Sequence, residues 1–239
     1  MKEDETTDPR FDLPLYSVPE ASRLAGVRPG TLRNWLRGYK YPSGGRLVVA
    51  KPAVIPTVTQ PMSLSFINLM EVVALAGFRE TGVSMQRVRR ALEYVAKEMR
   101  EPHPLASERI LTDGADLFWE FLTREPADLH LVNLNKGGQK AFPEAVMRYL
   151  REVEWGKDQV ASRWWPGATR PGRGLVVVDP RRAFGAPVVA RTGIRTADIF
   201  QRFAAGEPVA ELADDYGLSI DKVEAAIRAE ARFLEPIAA

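Results

Sequence analysis

Apolar residues recur mostly at helical spacing along this chain, and short β-branched runs separate the helical stretches. The most informative stretch is residues 16–39. Ser17 and Glu20 form a capping-box pair that starts a first helix, and Gly26 is placed to end it in a left-handed conformation. Pro29 suits the first turn of a second helix. The buried stripe of that second helix is Leu32, Trp35 and Leu36. This pattern predicts a helix-turn-helix.

The predicted second helix carries donor-rich side chains of the kind that contact bases and phosphates. Residues 16–51 contain seven Lys or Arg and one acid, a net charge of +6, whereas the whole chain carries only +2. Such a concentration of positive charge favours binding to double-stranded DNA. The alternative is a helical hairpin with a solvated basic face. The residues that we expect to contact DNA are Ser17, Arg28, Thr31, Arg33, Asn34, Arg37, Arg46 and Lys51.

The run YSVPEASRLAGV at residues 16–27, followed by Thr31-Leu32-Arg33, resembles the N-terminal motif of MerR-like regulators. The resemblance implies a winged helix-turn-helix with Gly44-Gly45-Arg46 as the wing. The pattern of residues 46–55 independently predicts a short hairpin or wing, with one strand before Lys51 and Pro52 and one after them. The chain departs from the MerR pattern further on, because it has no cysteine for metal sensing and no long terminal coiled-coil helix.

A second helical pair is predicted over residues 64–79 and 84–100, with Ser84 as the cap of its second helix. Such a pair also follows the wing in MerR-like proteins. The sequence places four basic side chains on the outer surface of the second helix: Arg87, Arg89, Arg90 and Lys97. They form either a solvated face paired with neighbouring acids or an auxiliary phosphate contact.

The chain divides into four predicted parts. Residues 1–15 form a flexible arm, 16–100 the MerR-like DNA-binding domain, 101–168 a middle α+β region, and 175–239 a small helical domain with a β-hairpin. The middle region is predicted to hold an amphipathic element at 116–122, a strand at 129–134, a turn at 136–139 and a helix at 145–155. A Pro- and Gly-containing segment, 169–174, is the predicted linker. The predicted fold class is mainly α with short β-hairpins.

The C-terminal part is helix-turn-helix-like in pattern but acidic in charge. Residues 197–239 hold nine acids and four bases, a net charge of −5. Because phosphate is repelled by such a surface, we expect a basic protein partner or a dimer interface there. A solvated acidic face without a partner is the alternative.

This C-terminal stretch resembles a small helical domain of unknown function that occurs in antitoxins encoded beside PIN-type ribonuclease toxins. The motifs that carry the resemblance are Gly185-x-Pro187-Val188-Val189, Thr192-Gly193-Ile194-Arg195-Thr196, Phe203-x-x-Gly206 and Leu212-Ala213-x-x-Tyr216-Gly217-Leu218-Ser219. Together with the N-terminal motif, the chain resembles a VapB-type antitoxin. The resemblance implies that it silences a PIN-type toxin and represses its own operon.

Two basic residues beside Gly193, Arg191 and Arg195, are the candidates for toxin contact, because a loop can insert into an acidic active site where a helix cannot. A structural role in holding the acidic helices is the competing interpretation. We also expect a homodimer, since one short helix reads few base pairs, and its surface could come from Trp164-Trp165 or the last helix.

Other function classes have less support. The absence of cysteine excludes disulfides and thiolate metal sites and favours a cytoplasmic setting. No apolar run is long enough to cross a membrane, and the polar N-terminus is no signal peptide. No paired carboxylates, nucleophile elbow or metal-ligand spacing indicates an enzyme, so we expect no cofactor and no metal. The main alternative is a stand-alone MerR-like regulator whose C-terminal part dimerises or binds a ligand.

Overall fold

A computed structural model describes residues 9–43, 45–80, 84–111, 118, 144–170 and 172–234. The helices in this part are α1 Val18–Leu24, α2 Pro29–Arg37, α3 Phe66–Glu80, α4 Met85–Met99, α5 Glu144–Glu152, α6 Thr196–Ala204, α7 Val209–Tyr216 and α8 Ile220–Leu234. The strands are β1 Tyr16–Ser17, β2 Tyr39–Ser43, β3 Arg46–Ala50, β4 Val58–Thr59, β5 Met62–Leu64, β6 Val153–Trp155, β7 Ala161–Trp164, β8 Val176–Val177 and β9 Val188–Val189. Their sheets are small and antiparallel: β1-β5-β4, β2-β3, β6-β7 and β8-β9. The predicted fold class is confirmed.

The helix-turn-helix forms as its sequence signals predict. The Ser17 hydroxyl accepts a hydrogen bond of 3.3 Å from the backbone N–H of Glu20 and caps α1. Gly26 has a φ of 64°, and Pro29 opens α2. The predicted stripe of α2, made of Leu32, Trp35 and Leu36, is buried. Both helices therefore pack their apolar faces inward and leave the polar face of α2 outside.

A two-stranded hairpin follows α2 at the position where the sequence predicted a wing. Its strands are β2 and β3, paired from Tyr39 with Ala50 to Ser43 with Arg46. The predicted pairing of two strands around Lys51 and Pro52 is wrong. After β3 the chain turns back, and the backbone N–H of Ala53 bonds the Trp35 carbonyl of α2 at 2.7 Å. That backbone donor is therefore used to attach the hairpin to α2 rather than to extend the sheet.

Helices α3 and α4 form the predicted second pair, and α3 is buried along nearly its whole length. The Ser84 position precedes α4 as predicted, although its side chain makes no capping hydrogen bond. The prediction for the α4 arginines is partly wrong. Arg90 and Lys97 are exposed, but Arg87 and Arg89 are buried. Since these two flank the apolar stripe of α4, packing on that stripe covers their side chains too.

The middle region is described only in part. The predicted helix at 145–155 ends at Glu152, because the chain continues as β6 and pairs with β7. The predicted strand at 129–134, the turn at 136–139 and most of the amphipathic element at 116–122 lie outside the described residues. Phe118 of that element is buried, with its ring 4.9 Å from the ring of Phe78.

The C-terminal part, residues 175–234, is the hairpin β8–β9 followed by α6, α7 and α8, and we call it the C-terminal module. It has a small core of its own, made of Val189, Ile199, Leu212, Ala213, Val223 and Ala226. The predicted hairpin and three helices are therefore present.

The C-terminal module packs firmly against the N-terminal domain. Phe233 of α8 belongs to the main core and lies beside Trp164, and Glu230 binds Arg23 of α1 at 2.7 Å. Trp164 and Val178 exchange backbone hydrogen bonds across the predicted linker at 169–174. The segment at 169–174 therefore connects two parts of the chain that pack against each other. Trp164 and Trp165 are buried inside the chain and offer no surface for dimerisation.

Candidate nucleic-acid and partner interfaces

The exposed face of α2 is a compact polar surface, which we call the recognition face. It consists of Gly30, Arg33, Asn34 and Arg37, spaced i, i+3, i+4 and i+7 on one side of the helix. Their exposure follows from the burial of the opposite stripe in the main hydrophobic core, beside α1. Three of the eight predicted DNA contacts are thus brought together on one short helix. Arginine and asparagine are the side chains that read guanine and adenine edges in the major groove.

Three further predicted contacts surround the recognition face and are also exposed. Arg28 stands at the N-cap position of α2, and Arg46 opens β3. Lys51 follows β3 with its Nζ 3.9 Å from the Glu93 carboxylate, a loose pair between two well-exposed side chains. Each of these cations is therefore accessible to a phosphate group.

The side-chain oxygens of the last two predicted contacts, Ser17 and Thr31, accept hydrogen bonds from other groups of the chain. The Ser17 hydroxyl caps α1, and the Thr31 hydroxyl accepts a hydrogen bond of 3.2 Å from Arg79 of α3. Both side chains are thereby engaged in fixing the two helices.

The sequence predicted Arg89 on the outer surface of α4, as a solvated or phosphate-contacting residue, whereas the structure buries it beside α2. Its guanidinium donates to the Asn34 carbonyl in the last turn of α2 at 3.2 Å, and lies 5.0 Å from the ring centroid of Tyr39. A cation is favourable both at a helix C-terminus and over an aromatic face. Arg89 therefore links α2 to the first residue of the β2–β3 hairpin. Its position three residues before the buried Leu92 was the available signal.

The two predicted toxin contacts differ in their surroundings. Arg195 precedes α6 and binds the Asp198 carboxylate through both Nε and a terminal nitrogen, at 3.0 and 2.7 Å. Arg191 is exposed and has a φ of 65° in the turn after β9. Arg195 is thus held by Asp198 of α6, whereas Arg191 is exposed on a tight turn.

A left-handed loop at the other end of the β8–β9 hairpin was not predicted from the sequence. Ala183, Phe184 and Gly185 have successive φ values of 44°, 53° and 76°. A left-handed backbone costs roughly 1–2 kcal/mol for each residue that carries a Cβ. Gly185 cannot be replaced cheaply, because a Cβ there would lie 2.2 Å from the Tyr16 hydroxyl oxygen.

Two buried polar groups hold this loop in place. The Tyr16 hydroxyl donates to the Gly185 carbonyl at 2.9 Å, and burial, with Glu20 nearby, raises the tyrosine's pKa above its ordinary value. Burial would also raise the pKa of Asp179, but hydrogen bonds from Arg181 and Arg163 hold it below the usual range. Asp179 is therefore an anionic anchor at the base of the loop.

A cavity of about 780 Å³ lies where the N-terminal domain meets α8. Its wall includes Leu24 and Val73 from the N-terminal domain, Glu152 and Trp164 from the middle region, and Phe233. Desolvation raises the pKa of Glu152, whose carboxylate accepts hydrogen bonds from the Trp164 indole and the Gly167 backbone. Among the described residues, no cluster of three or more acidic or histidine side chains could hold a metal ion, and no helix could cross a membrane.

Comparison with known proteins matches the two ends of the chain to separate families. Residues 14–92 match the family described as "Putative DNA-binding HTH domain". Residues 176–228 match the family described as "Protein of unknown function (DUF433)". The first match spans α1 to the middle of α4, and so includes the recognition face and the β2–β3 hairpin. The second spans the β8–β9 hairpin, α6, α7 and the first part of α8.

Relatives from Mycobacterium tuberculosis match nearly the full length. The chain is 36% identical to the protein named "Putative antitoxin VapB45", over 96% of this chain and 99% of that protein. It is 26% identical to the uncharacterized protein Rv2308, over 95% of this chain and 94% of that one. The crystal structure of Rv2018 superimposes with a TM-score of 0.69 at 32% identity, covering 91% of this chain and 99% of that one. With its DNA-binding helix-turn-helix domain, the chain belongs to the family of VapB-type antitoxins.

Proposed function

We propose that this antitoxin represses its own operon through the recognition face. The observation that supports the proposal most directly is the grouping of Arg33, Asn34 and Arg37 on the exposed side of α2, within a segment of net charge +6. A helix of nine residues with such a face fits the major groove of B-DNA. Arg33 and Asn34 then contact base edges, and Arg28, Arg46 and Lys51 contact phosphates. Ser17 and Thr31 hold the helices that present them. A repressor of this kind acts in the cytoplasm.

The experiment for DNA binding is a gel-shift titration on the promoter fragment upstream of the chain's own operon. Arg33→Ala or Asn34→Ala should each lower operator affinity by about 1–3 kcal/mol, and the loss should be smaller on unrelated DNA. The matched control is Arg228→Ala, which removes another exposed arginine, on α8. If Arg33→Ala binds the operator as tightly as the control Arg228→Ala, the recognition face is not the DNA-binding surface.

We further propose that the C-terminal module binds and neutralises a PIN-type ribonuclease toxin. Residues 197–239, which include nearly all of the module's helical residues, carry a net charge of −5, while the DNA-binding segment is basic, so these two parts suit different partners. The module's exposed acids can steer a basic RNA-binding surface toward it. Arg191 is the first candidate for insertion into a carboxylate-lined active site, because Arg195 is already paired with Asp198. Arg195 is the second candidate.

The toxin-binding role is tested by capture and ribonuclease inhibition with the co-encoded toxin and the full-length antitoxin. Arg191→Ala should weaken capture and restore ribonuclease activity while operator binding stays intact. Arg33→Ala is the reciprocal control, since it should lose operator affinity and retain toxin capture. If the wild-type chain neither captures nor inhibits the co-encoded toxin, the antitoxin proposal fails for this partner.

The proposed assembly is a homodimer, because two-fold proteins read half-sites about one helical turn apart. Since Trp164 and Trp165 are buried, the pairing surface must lie elsewhere, and α8 still exposes Ile220 and Leu234. Light scattering at micromolar concentration measures the mass directly. A monomeric mass together with a one-sided footprint would contradict a dimer.

A second candidate function is that of a regulator that responds to a small ligand, and the cavity between the N-terminal domain and α8 favours it. A site there would touch α1 of the helix-turn-helix and the last helix at once. Thermal-shift screening of the full chain against metabolites tests this function. A hit that also changes operator affinity supports it, and stabilisation lost in Val73→Trp would place the ligand in the cavity.

A further inference from the structure

Phe184 is the most exposed large apolar side chain in the described part of the chain. It is 87% exposed, although it sits in a loop whose two ends are buried β-strands. Phenylalanine is an unfavourable residue for such a position for two reasons. Its apolar ring is exposed to water, which is unfavourable. Its backbone is held in a left-handed conformation, which is unfavourable for a residue with a Cβ.

The loop that carries Phe184 is rigidly supported rather than loosely attached. Gly185, its neighbour, is fixed by the buried Tyr16 hydroxyl, and Asp179 at the loop's base binds Arg163 and Arg181. A backbone hydrogen bond of 2.9 Å from Gly185 to Arg182 closes the turn. A strained conformation persists only where its surroundings enforce it, and such positions concentrate at binding sites. Phe184 is thus preorganised, which reduces the entropy lost when a partner orders it.

We propose that Phe184 is the anchor by which the C-terminal module binds its toxin, entering an apolar pocket of the toxin with a carboxylate at the pocket's rim for Arg182. This inference rests on the proposed toxin-binding function. Aromatic side chains and arginine dominate the energetics of protein interfaces, and a central anchor is surrounded by a polar rim. The adjacent Arg182 is exposed and provides the charge that selects an acidic rim.

A second copy of this chain fits the same feature less well. A two-fold interface needs a self-complementary patch, whereas Phe184 protrudes as a single convex side chain. Its insertion into a cavity elsewhere on another copy would be heterologous and would build rings or filaments. A different protein with a concave apolar pocket has no such restriction. The loop also lies inside the segment matched to the second family, apart from the recognition face.

The experiment measures the affinity of the full-length antitoxin for the purified co-encoded toxin by calorimetry, beside its thermal unfolding midpoint. Phe184→Gly removes the ring and relieves the left-handed backbone. We therefore expect at least a tenfold loss of toxin affinity with an unfolding midpoint that is unchanged or higher. Phe184→Leu, which keeps an apolar side chain, should lose less toxin affinity than Phe184→Gly. The control is Ile55→Ala, which trims a 74% exposed apolar side chain far along the chain and should bind like wild type.

Four results would overturn the inference. If wild type binds the toxin tightly and Phe184→Gly binds it within twofold of wild type, Phe184 is not the anchor. The toxin-binding function then still stands. A lower unfolding midpoint, with parallel losses of toxin and operator binding, makes Phe184 a structural residue. If Phe184→Gly has a lower molecular mass in solution than wild type and an unchanged toxin affinity, Phe184 contacts another copy of this chain instead. Failure of the wild-type chain to bind toxin removes the proposed function and this inference together.

Discussion

Gly30 is a position where a single residue separates folding from DNA binding. It lies on the recognition face, and a Cβ built there meets no atom within 4 Å. Gly30→Ala should therefore fold as well as wild type, with a gain of up to about 1 kcal/mol from reduced chain entropy. Gly30→Glu should keep the same unfolding midpoint but lose operator affinity, because a carboxylate would face the phosphates. Thermal unfolding and gel-shift titration measure the two effects, and operator binding by Gly30→Glu at wild-type strength would contradict this.

His103 is expected to give the fold a pH-dependent contribution. Its Nδ1 lies 3.2 Å from the buried Glu71 carboxylate, and this contact raises the histidine pKa, with Glu101 and Asp12 acting in the same direction. Because the folded pKa exceeds the unfolded value of about 6.5, the stabilisation is complete below that pH. It is lost as pH rises through the folded pKa.

The measurement is the unfolding midpoint of wild type and His103→Gln between pH 5.5 and 8.5. The difference between the two proteins should be largest at the acidic end and shrink with rising pH. A difference that stays constant over this range would mean that the His103 charge contributes nothing.

At the residue scale, sequence reasoning succeeded where one side chain determines the outcome. The Ser17 cap and the positive φ of Gly26 follow from local chemistry that any short peptide would share. It failed for Phe184, because nothing in a phenylalanine predicts a left-handed backbone. The neighbouring Gly185 is held by the hydroxyl of Tyr16, a residue 169 positions before it in the chain.

The recognition helix is positioned by α4, and this support can be tested apart from direct DNA contact. Arg89→Met keeps the apolar stem but removes the hydrogen bond to the Asn34 carbonyl and the cation over Tyr39. We expect a stability loss of about 1–3 kcal/mol and weaker operator binding. Since no phosphate contact is removed, the slope of log affinity against log salt should stay at the wild-type value.

The matched control for this prediction is Arg46→Ala at the start of β3, an exposed arginine in the same domain. Its loss should reduce the magnitude of the salt slope by about 1 with little effect on the unfolding midpoint. Equal changes in slope for Arg89→Met and Arg46→Ala would show that Arg89 contacts phosphate instead of positioning α2.

Among the elements, those with helical periodicity were predictable and the short strands were much less so. The helices α2, α3 and α4 carry repeating apolar stripes, which fix their faces as well as their existence. The β2 strand was missed because Tyr39–Ser43 contains Pro42 and lacks a β-branched run. Similarly, β6 continues directly from α5, and its strand character depends on pairing with β7.

The whole molecule differs most from what the sequence suggested, because its two ends share a core. Phe233 reaches the main hydrophobic cluster, and the ion pair between Arg23 and Glu230 joins residues 207 positions apart. No local pattern encodes contacts of that range. Composition predicted a linker at 169–174, but packing decides whether a connection between two parts allows movement.

The shared core predicts that deleting the C-terminal module damages the N-terminal domain. A chain ending at residue 174 would lack Phe233 and expose Trp164, which is now 1% exposed, and Tyr16, which is fully buried. Loss of a core phenylalanine alone costs about 3–5 kcal/mol, so the urea midpoint should fall sharply and operator binding should weaken with it. Glu230→Gln, which keeps the packing but removes the charge on Arg23's partner, should cost about 1–3 kcal/mol. Arg228→Ala, which breaks only the exposed pair with Glu224, should cost less than about 0.5 kcal/mol. A truncated chain with the wild-type urea midpoint would mean that the two parts fold independently.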